Sequence, residues 1–518
     1  MRVCKPRGKG VSSHHPRGLF VCCATEFWER FSYYGMRALL VFYLMQHFLF
    51  SDERSYLIYG AYSAMVYMTP VLGGFISDRF LGARKAVTLG AVLLVLGHFG
   101  MTLEGPAAQQ QLIGGSTVTT RDGASLQLLF LSLALIATGV GFLKTNAAAL
   151  VGTLYANNDP RRDAGYMLFF MIYNIGAAIA PLLCGWIGHT YGWHFGFGIA
   201  GVGMLAGLLV FLRGQRRLLG HGEPPNPEWL EESILPGISR ETLVYTGSVA
   251  LVALVWLILC YQQAIGPLLA LLGCVTGILI LYQALARSGA VERDRLLVCL
   301  TLIVFTIGFY VFYEQIGSSL NVFADRMVDR RVLGYEVPAP MLQSLPAIFV
   351  IMGAPLAGGL WLSLARRHRD PSAAVKFSVA IGLLALAFLV IPLGASSVRA
   401  GEKIPLGWFV LCFGLLTAGE LCLAPIALAV VTKLAPPRMV GMMVGTFYLA
   451  YSASSFISAV IAQHTSAKTL GGNLLSQTAA MHQYMSVYTR LGLSALTVAI
   501  LLALISPLLT RRMHNYRT

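Results

Sequence analysis

The sequence predicts an all-α polytopic membrane protein with about fourteen transmembrane helices. Hydrophobic residues make up 56% of its 518 residues and charged residues only 12%, whereas soluble domains contain roughly 45–50% and about 25%. The hydrophobic residues form runs that are long enough to cross a bilayer, which takes roughly 20 residues. Arginine and lysine collect in short loops between these runs, as expected for loops on the cytoplasmic side of a membrane.

The first apolar run, at residues 19–48, carries a stripe of polar and charged side chains. Residues spaced i, i+3, i+4 and i+7 share one face of a helix. The stripe consists of Glu26, Glu29, Arg30, Tyr33 and Arg37. Because an ionisable side chain near the bilayer centre costs roughly 2.5–3.5 kcal/mol, this face cannot contact lipid. We therefore expect either structural ion pairs of Arg30 with Glu26 or Glu29, or a polar site for a charged solute, a proton, or both.

Thirteen further apolar runs follow the first one. They lie at about residues 56–78, 85–103, 125–155, 164–189, 192–212, 241–261, 265–286, 296–320, 339–365, 373–395, 406–433, 438–463 and 484–509. Basic loops alternate with loops that are nearly free of lysine and arginine, such as 105–123, and the segment 325–331 is an exception. Because basic loops stay in the cytoplasm, both termini are predicted to be cytoplasmic.

A short motif that ends the second run recurs in the second half of the chain. Pro70-Val-Leu-Gly73-Gly74 and Pro355-Leu-Ala-Gly358-Gly359 each precede a basic turn, which predicts two duplicated bundles with a site between them. The predicted organisation is a cytoplasmic tail at 1–18, an N-terminal six-helix bundle at 19–213, a cytoplasmic linker at 214–240, an inserted transmembrane hairpin at 241–287, a C-terminal six-helix bundle at 295–510 and a cytoplasmic tail at 511–518.

Four polar residues lie inside other apolar runs. They are Lys144, Asn174, Glu314 and Glu420. The two glutamates are too short to reach the membrane surface, so we expect a cavity around them, whereas Lys144 has the alternative of extending to the interface. Together with the charges of the first run, these residues form a nearly balanced set. A site with both signs suits a zwitterion, and the small acidic excess leaves room for a proton.

Several classes of function are not supported by the sequence. The net charge of +15 is spread over loops, which argues against nucleic acid as a partner. The nine cysteines form no CxxC pair and have no histidine partners, so neither a disulfide framework nor a metal site is predicted. No GxSxG or HExxH motif supports a membrane-embedded enzyme. A receptor that does not transport is not excluded.

The first run resembles a known signature. The segment Glu26-x-x-Glu29-Arg30-Phe31-Ser32-Tyr33-Tyr34-Gly35 is similar to the ExxERFxYYG motif of the proton-dependent oligopeptide transporters, a family within the major facilitator superfamily. The segments around Lys144, Asn174, Glu314 and Glu420 resemble further family segments, in the family's order. The basic loop with Asp78, Arg79 and Arg84 resembles the loop signature of the superfamily. The resemblance covers about residues 19–509 and implies the superfamily fold, with two six-helix bundles, an inserted hairpin and fourteen transmembrane helices.

The resemblance also implies roles for single residues. The residues implied in proton coupling are Glu26, Glu29, Arg30, Lys144 and Glu314. Those implied in substrate binding are Tyr33, Tyr34, Arg37, Tyr67, Lys144, Asn174, Glu314, Glu420 and Phe447. Arg37 and Lys144 match positions that receive a peptide carboxylate, whereas Asn174 and Glu420 match positions that hold the amino end. Glu314 matches an acid that pairs with the arginine equivalent to Arg37.

Two positions depart from the family pattern. Pro346 stands where relatives usually have an asparagine that helps to hold the amino group, and Phe447 stands where a tryptophan is frequent. Both departures bear on side-chain preference and affinity. We still expect a proton-coupled symporter that imports di- and tripeptides across the bacterial cytoplasmic membrane by alternating access. It would act as a monomer in the lipid bilayer, use the proton gradient and need no cofactor. The alternative is a relative with a changed substrate, namely an amino acid, nitrate or a peptide-like drug.

Overall fold

The chain folds almost entirely into helices. The computed structural model describes residues 14–113, 116–156, 158–399, 401–470 and 473–514. The helices of the first half and of the following segment are α1 (Arg17–Gln46), α2 (Asp52–Ile76), α3 (Gly82–Met101), α4 (Gly123–Thr153), α5 (Arg162–Tyr191), α6 (Trp193–Gly214), α7 (Pro227–Glu231), α8 (Arg240–Cys260) and α9 (Ile265–Ala286). The second half contains α10 (Ala290–Tyr313), α11 (Ser319–Met327), α12 (Leu345–Arg366), α13 (Ala373–Ser396), α14 (Leu406–Leu434), α15 (Val440–Gln463) and α16 (Gln477–Arg512).

The helical content and length confirm a multi-pass membrane protein of the all-α class. Among the described residues, fourteen helices have 20 or more residues, and twelve segments are long and apolar enough to cross a membrane. One of these segments joins α2 and α3, and α1 is not among the twelve because its charged stripe interrupts the apolar run. The number of fourteen transmembrane helices and the division into bundles stay predictions. Residues 1–13 and 515–518 of the two predicted tails lie outside the described residues.

Short two-stranded ladders close several loops, a feature that the sequence analysis did not predict. The strands are β1 (Gln109–Ile113), β2 (Ser116–Thr120), β3 (Ser233–Leu235), β4 (Ile238–Ser239), β5 (Val328–Asp329), β6 (Arg331–Val332), β7 (Tyr335–Glu336), β8 (Ile404–Pro405), β9 (Thr469–Leu470) and β10 (Asn473–Leu474). The pairs β1–β2, β3–β4, β6–β7 and β9–β10 are antiparallel, and β5–β8 is parallel. These ladders provide hydrogen-bond partners for backbone N–H and C=O groups in the loops, outside the helices.

Helix α1 lies at the centre of the first half, where it packs against α5 and α6, while α3 packs against α4. In the second half, α13 packs against α14 and α16. The halves meet along α2 and α15. There Gly60 lies so close to Ala459 that a side chain at position 60 would collide with it, as expected where small residues let helices approach closely. Ser452 donates a hydrogen bond of 2.8 Å to the carbonyl oxygen of Ala64 in the same contact.

The apolar run predicted at 296–320 is not one helix. Helix α10 ends at Tyr313, a 3₁₀ turn covers Glu314–Gly317, and α11 begins at Ser319. A Cβ atom on Gly317 would collide with the hydroxyl of Tyr59 and would lie 2.9 Å from Nε of Arg37. The glycine and the break therefore bring the backbone next to two side chains of the first half.

The two ends of the molecule differ in their contacts. At the end where α1 starts and α16 stops, which we call the terminal end, the linker packs on the turn between α2 and α3. The amide of Arg84 donates to the carbonyl oxygen of Gly222 at 2.9 Å. At the opposite end, Arg326 of α11 donates to both carboxylate oxygens of Asp52 of α2 at 2.6 and 2.9 Å. This buried ion pair joins the two halves there.

Candidate functional site

A cavity of about 400 Å³ lies between the two halves. Its walls come from α1, α2 and α5 of the first half and from α10, α12, α14 and α15 of the second half, with the turns before α11 and α12. The lining residues are Tyr34, Arg37, Tyr67, Phe170, Tyr173, Asn174, Ala177, Tyr313, Glu314, Ile316, Gln343, Pro346, Ala347, Val350, Glu420, Leu421, Ala424, Pro425 and Tyr451. The cavity thus combines apolar and aromatic walls with a few charged groups, as is usual for small-molecule sites.

An ion pair between the halves forms one wall of the cavity. Nη2 of Arg37 donates to Oε2 of Glu314 at 2.8 Å, and Nε of Arg37 donates to the hydroxyl of Tyr59 at 2.7 Å. Both charged residues are buried, with 7% and 3% of their surface exposed. The pairing that the resemblance implied for Glu314 and Arg37 is therefore formed. Because the partners sit on α1 and on the turn after α10, the pair ties the halves together at the level of the cavity.

A second ion cluster lies about two to three turns earlier on α1 and does not line the cavity. Arg30 donates to Oε1 of Glu26 at 3.0 and 2.8 Å, and its Nε lies 3.3 Å from Oε2 of Glu29. Glu29 is fully buried, and neither of its carboxylate oxygens has a hydrogen-bond partner among the described residues. The Arg30 guanidinium lies 5.0 Å from the centre of the ring of Tyr173, which does line the cavity. Two carboxylates thus share one guanidinium directly behind the cavity wall.

The charged stripe of α1 is buried as predicted. Glu26, Glu29, Arg30, Tyr33 and Arg37 are all less than 10% exposed. Both structural pairs predicted for Arg30, with Glu26 and with Glu29, are present, and the stripe also reaches the cavity through Arg37. The helical periodicity therefore predicted its environment correctly.

The cavity contains a second carboxylate besides that of Glu314. It belongs to Glu420, which accepts a hydrogen bond from the hydroxyl of Tyr313. Asn174 also lines the cavity, and its amide nitrogen donates to the carbonyl oxygen of Phe170 at 2.8 Å. The side-chain oxygen of Asn174 thus stays available as an acceptor. Together with Arg37 and Glu314, the cavity presents one cationic and two anionic groups.

Lys144 does not extend to the membrane interface. Its ammonium lies 4.8 Å from the centre of the ring of Tyr67, and the residue is only partly exposed. Because Tyr67 lines the cavity and Lys144 does not, the lysine stands behind the tyrosine ring.

Six of the predicted binding residues line the cavity, namely Tyr34, Arg37, Tyr67, Asn174, Glu314 and Glu420. Tyr33, Lys144 and Phe447 do not, although Tyr33 and Phe447 are buried nearby in α1 and α15. Pro346, the departure from the family pattern, is part of the wall. The loop residues Asp78, Arg79 and Arg84 lie at the terminal end, where Asp78 and Arg79 are exposed and Arg84 pairs with Glu223.

The sequence analysis did not assign a role to several lining residues, above all tyrosines. Tyr451 of α15 lies against Tyr67 and Tyr310, with ring centres 4.3 and 3.8 Å apart, and Tyr313 contacts Glu420. Tyr310 and Tyr313 are spaced i, i+3 in an apolar run, and this spacing is the signal from which a shared polar face could have been predicted. Gln343 also lines the cavity, and its amide donates to the carbonyl oxygen of Ile316 at 2.6 Å.

Similar proteins share this architecture. A model of the POT family matches residues 84–479 of the chain. The uncharacterized transporter YclF of Bacillus subtilis is 34% identical over 463 residues, which cover 86% of this chain and 88% of YclF. The peptide transporter YePEPT of Yersinia enterocolitica is 34% identical over 479 residues, which cover 88% of this chain and 89% of YePEPT. A crystal structure of a mutant of the peptide transporter POT in complex with alafosfalin has a TM-score of 0.80 and 30% identity, and the match covers 97% of this chain and 96% of that one.

Proposed function

The chain belongs to the POT family, and we propose that it is a proton-coupled symporter that imports di- and tripeptides across a bacterial cytoplasmic membrane by alternating access. The observation that carries the proposal is the cavity between the halves, which presents Arg37 and Glu420 together. A carboxylate and an ammonium group on one small ligand each need an opposite charge in a site shielded from water. The peptide transporter named above and the alafosfalin complex support a peptide-like ligand.

The proposal assigns the two ends of the peptide to different walls. Arg37 would receive the carboxylate, because a guanidinium presents two parallel N–H donors that match its geometry. Glu420 and the free oxygen of Asn174 would hold the ammonium group. Tyr34, Tyr67 and Phe447 would contact or shape the space for the side chains, with Lys144 adding positive charge behind Tyr67. A volume of about 400 Å³ falls within the roughly 300–1,000 Å³ of small-molecule pockets.

Glu314 is the first proposed site of proton coupling. Its Oε2 atom is paired with Nη2 of Arg37 at 2.8 Å. A peptide carboxylate must therefore compete with Glu314 for the Arg37 guanidinium. A proton on Glu314 would remove that competition and free Arg37 for the peptide. Release of peptide and proton would restore the ion pair. Binding of peptide and proton would therefore be linked through one guanidinium.

The cluster of Glu26, Glu29 and Arg30 is the second proposed site. It holds two buried carboxylates against one guanidinium, and Lys144 stands behind the neighbouring cavity wall. One proton would balance the two carboxylates against the guanidinium. Arg30 also lies over the ring of Tyr173, which lines the cavity. A change in the charge of this cluster would therefore alter the contact of Arg30 with the cavity wall.

The proposed orientation places both termini in the cytoplasm. The Asp52–Arg326 pair would then close the extracellular end of the molecule. Inward transport needs this pair and the Arg37–Glu314 pair to open when the cavity faces outwards. A proton that moves down 100 mV supplies about 2.3 kcal/mol, which at about 1.4 kcal/mol per tenfold corresponds to roughly 40-fold accumulation.

A relative with a changed substrate is the alternative. Pro346 lines the cavity, and its ring offers no donor or acceptor to an amino group. This favours a ligand that depends less on a second polar contact there, such as an amino acid, nitrate or a peptide-like drug. We further propose that the chain is not an enzyme, needs no cofactor and acts as a monomer.

Uptake of labelled dialanine into proteoliposomes tests the proposal. We expect accumulation with an inward proton gradient and a negative internal potential, and loss of accumulation when an uncoupler is added. Nitrate, alanine and alafosfalin, each in excess, serve as competitors. Uptake that ignores the gradient would contradict proton coupling, and no uptake of dialanine together with uptake of a competitor would establish the alternative.

A further inference from the structure

Two corresponding loops of the repeat use their charges differently. The first basic loop, residues 77–85, follows the Pro70 motif, and the second basic loop, residues 366–372, follows the Pro355 motif. In the first loop, Arg84 pairs with Glu223 and Lys85 pairs with Glu241 at 2.6 Å. Both acids come from the linker and the start of α8, so this part of the chain covers two of the three basic residues of the first loop, while Arg79 is exposed.

The second basic loop has no such cover. Its three arginines are exposed, and none has an ion pair or hydrogen bond from its side chain among the described residues; they are Arg366, Arg367 and Arg369. The loop's one acid, Asp370, is occupied by Lys376 at 2.9 Å. Lys376 in turn lies 4.8 Å from the centre of the ring of Trp361. The uncovered charge of the loop is therefore positive.

The backbone holds these arginines on one tight turn. Helix α12 ends at Arg366, and His368, two residues later, lies in the left-handed region at φ 53°. The amides of His368 and Arg369 donate back to the carbonyl oxygens of Ala365 and Leu364 at 3.0 and 2.9 Å. Glycine is the usual residue at such a position.

A fourth arginine joins this turn from the end of α16. The hydroxyl of Thr510 lies 3.0 Å from the hydroxyl of Ser372, the residue before α13. The next residue, Arg511, is exposed and has no ion pair or side-chain hydrogen bond among the described residues. Three residues span at most roughly 10 Å, so Arg369 and Ser372 are near neighbours. The loop after α12 and the end of α16 thus meet at Ser372 and Thr510, and both carry arginines that are uncovered among the described residues.

The faces next to this cluster are apolar. Leu360 and Leu362 on α12 and Leu504 and Leu508 on α16 are each more than half exposed. Both helices belong to segments that are long and apolar enough to cross a membrane. The arginines at their last turns therefore lie at the level of the phospholipid headgroups, directly beyond surfaces that suit acyl chains.

We propose that the second basic loop together with Arg511 binds the headgroup of an anionic phospholipid such as phosphatidylglycerol. The positive-inside rule accounts for the sign of charge in both loops. It does not explain why acids of the chain pair with two of the three basic residues of the first loop but, among the described residues, with none of the three arginines of the second loop. An anionic headgroup supplies the counter-charge that the linker supplies on the first loop, and its acyl chains continue along the exposed leucines.

The test uses the full-length protein in detergent after removal of lipid. It is titrated with a fluorescent phosphatidylglycerol, with a phosphatidylcholine that carries the same label, and with inorganic phosphate as a competitor. A basic residue near an anionic surface contributes about fivefold in binding. The triple variant Arg366→Gln, Arg367→Gln and Arg369→Gln should therefore bind phosphatidylglycerol at least tenfold more weakly.

The control is the double variant Arg84→Gln and Lys85→Gln, which removes two basic residues at the same end of the molecule that Glu223 and Glu241 already cover, and it should bind as the original protein does. A lysine version of the test variant should keep most of the binding, because it keeps the charge. Equal losses in both glutamine variants, equal binding of phosphatidylcholine, or displacement by millimolar inorganic phosphate would each overturn the proposal. Melting temperatures of all variants confirm that they are folded.

Discussion

The two ion clusters on α1 share one helix face but differ in what they connect. The cluster of Glu26, Glu29 and Arg30 is formed within a single helix. Arg37, two turns further on, is paired with Glu314 from the other half and with Tyr59 of α2. A relative movement of the halves leaves the first cluster intact and must break the Arg37–Glu314 pair. The first cluster on α1 is therefore local to one helix, whereas the Arg37–Glu314 pair on the same helix depends on the conformation of the two halves.

The largest effect is expected from breaking the local cluster. Arg30→Leu leaves two buried carboxylates without their cation, and the loss of one partner of a buried ion pair costs about 3–5 kcal/mol. We expect a strongly lowered melting temperature and no transport. Arg30→Lys keeps the charge and should recover most of the stability. If Arg30→Leu melted as the original protein does, the cluster would not contribute to stability.

The second effect concerns the contact between the halves. Glu314→Gln removes the negative charge at nearly constant volume and mimics the protonated acid, so Arg37 is always free for a peptide. We expect the roughly 40-fold accumulation to fall to equilibration, while exchange of labelled for unlabelled dialanine continues. Glu231→Gln, an exposed glutamate in the linker, is the matched control. Full proton-driven accumulation by Glu314→Gln would refute the role given to this residue.

A third effect is expected at the end opposite the termini. Asp52→Asn weakens the other buried pair between the halves, and hydrogen bonds to charged groups contribute about 1.5–3 kcal/mol. The population that is open at that end should rise roughly tenfold. The distance between spin labels at positions 54 and 468 measures this change. The control is Glu53→Gln, an exposed neighbour, which should leave the distance unchanged. Equal distances in the two variants would show that the Asp52–Arg326 pair does not keep this end closed.

The smallest effect separates the hydrogen bond of Arg37 from its ion pair. Tyr59→Phe removes the hydroxyl that accepts from Nε of Arg37 at 2.7 Å, at a cost of about 1.5 kcal/mol. We expect a slightly lower melting temperature and retained coupling to protons. The control is Tyr62→Phe on the same helix, because the buried hydroxyl of Tyr62 has no hydrogen-bond partner among the described residues. A loss of coupling in Tyr59→Phe would assign the tyrosine to the proton path.

Features that depend on local spacing could be predicted from the sequence. The burial of the α1 stripe follows from helical periodicity and from the cost of charge in lipid, and both hold without knowledge of the neighbours. The ends of most helices lie within a few residues of the predicted apolar runs. The resemblance added the pairing of Arg37 with Glu314, which spacing alone does not determine.

Features that depend on tertiary contact could not be predicted in this way. The helix break at Glu314–Gly317 contains no proline, so no local sequence signal predicts it. It lies where Tyr59 and Arg37 of the other half approach the backbone closely. The hydrogen bond between Tyr313 and Glu420 joins residues 107 positions apart. The cover of Arg84 by Glu223 depends on where a linker returns after more than a hundred residues.

The contact of Gly60 with Ala459 has a mechanical consequence. It lies 8 residues from the start of α2 and 16 residues from its end, which correspond to about 12 and 24 Å along the helix axis. If the halves rotate about this contact as a fulcrum, α2 is a lever with unequal arms. A given rotation then moves the Ile76 end about twice as far as the Asp52 end. Rotations of equal size in the two senses would then open a narrow gap at the Asp52 end and a wider one at the terminal end, so the two entrances would differ in width by construction.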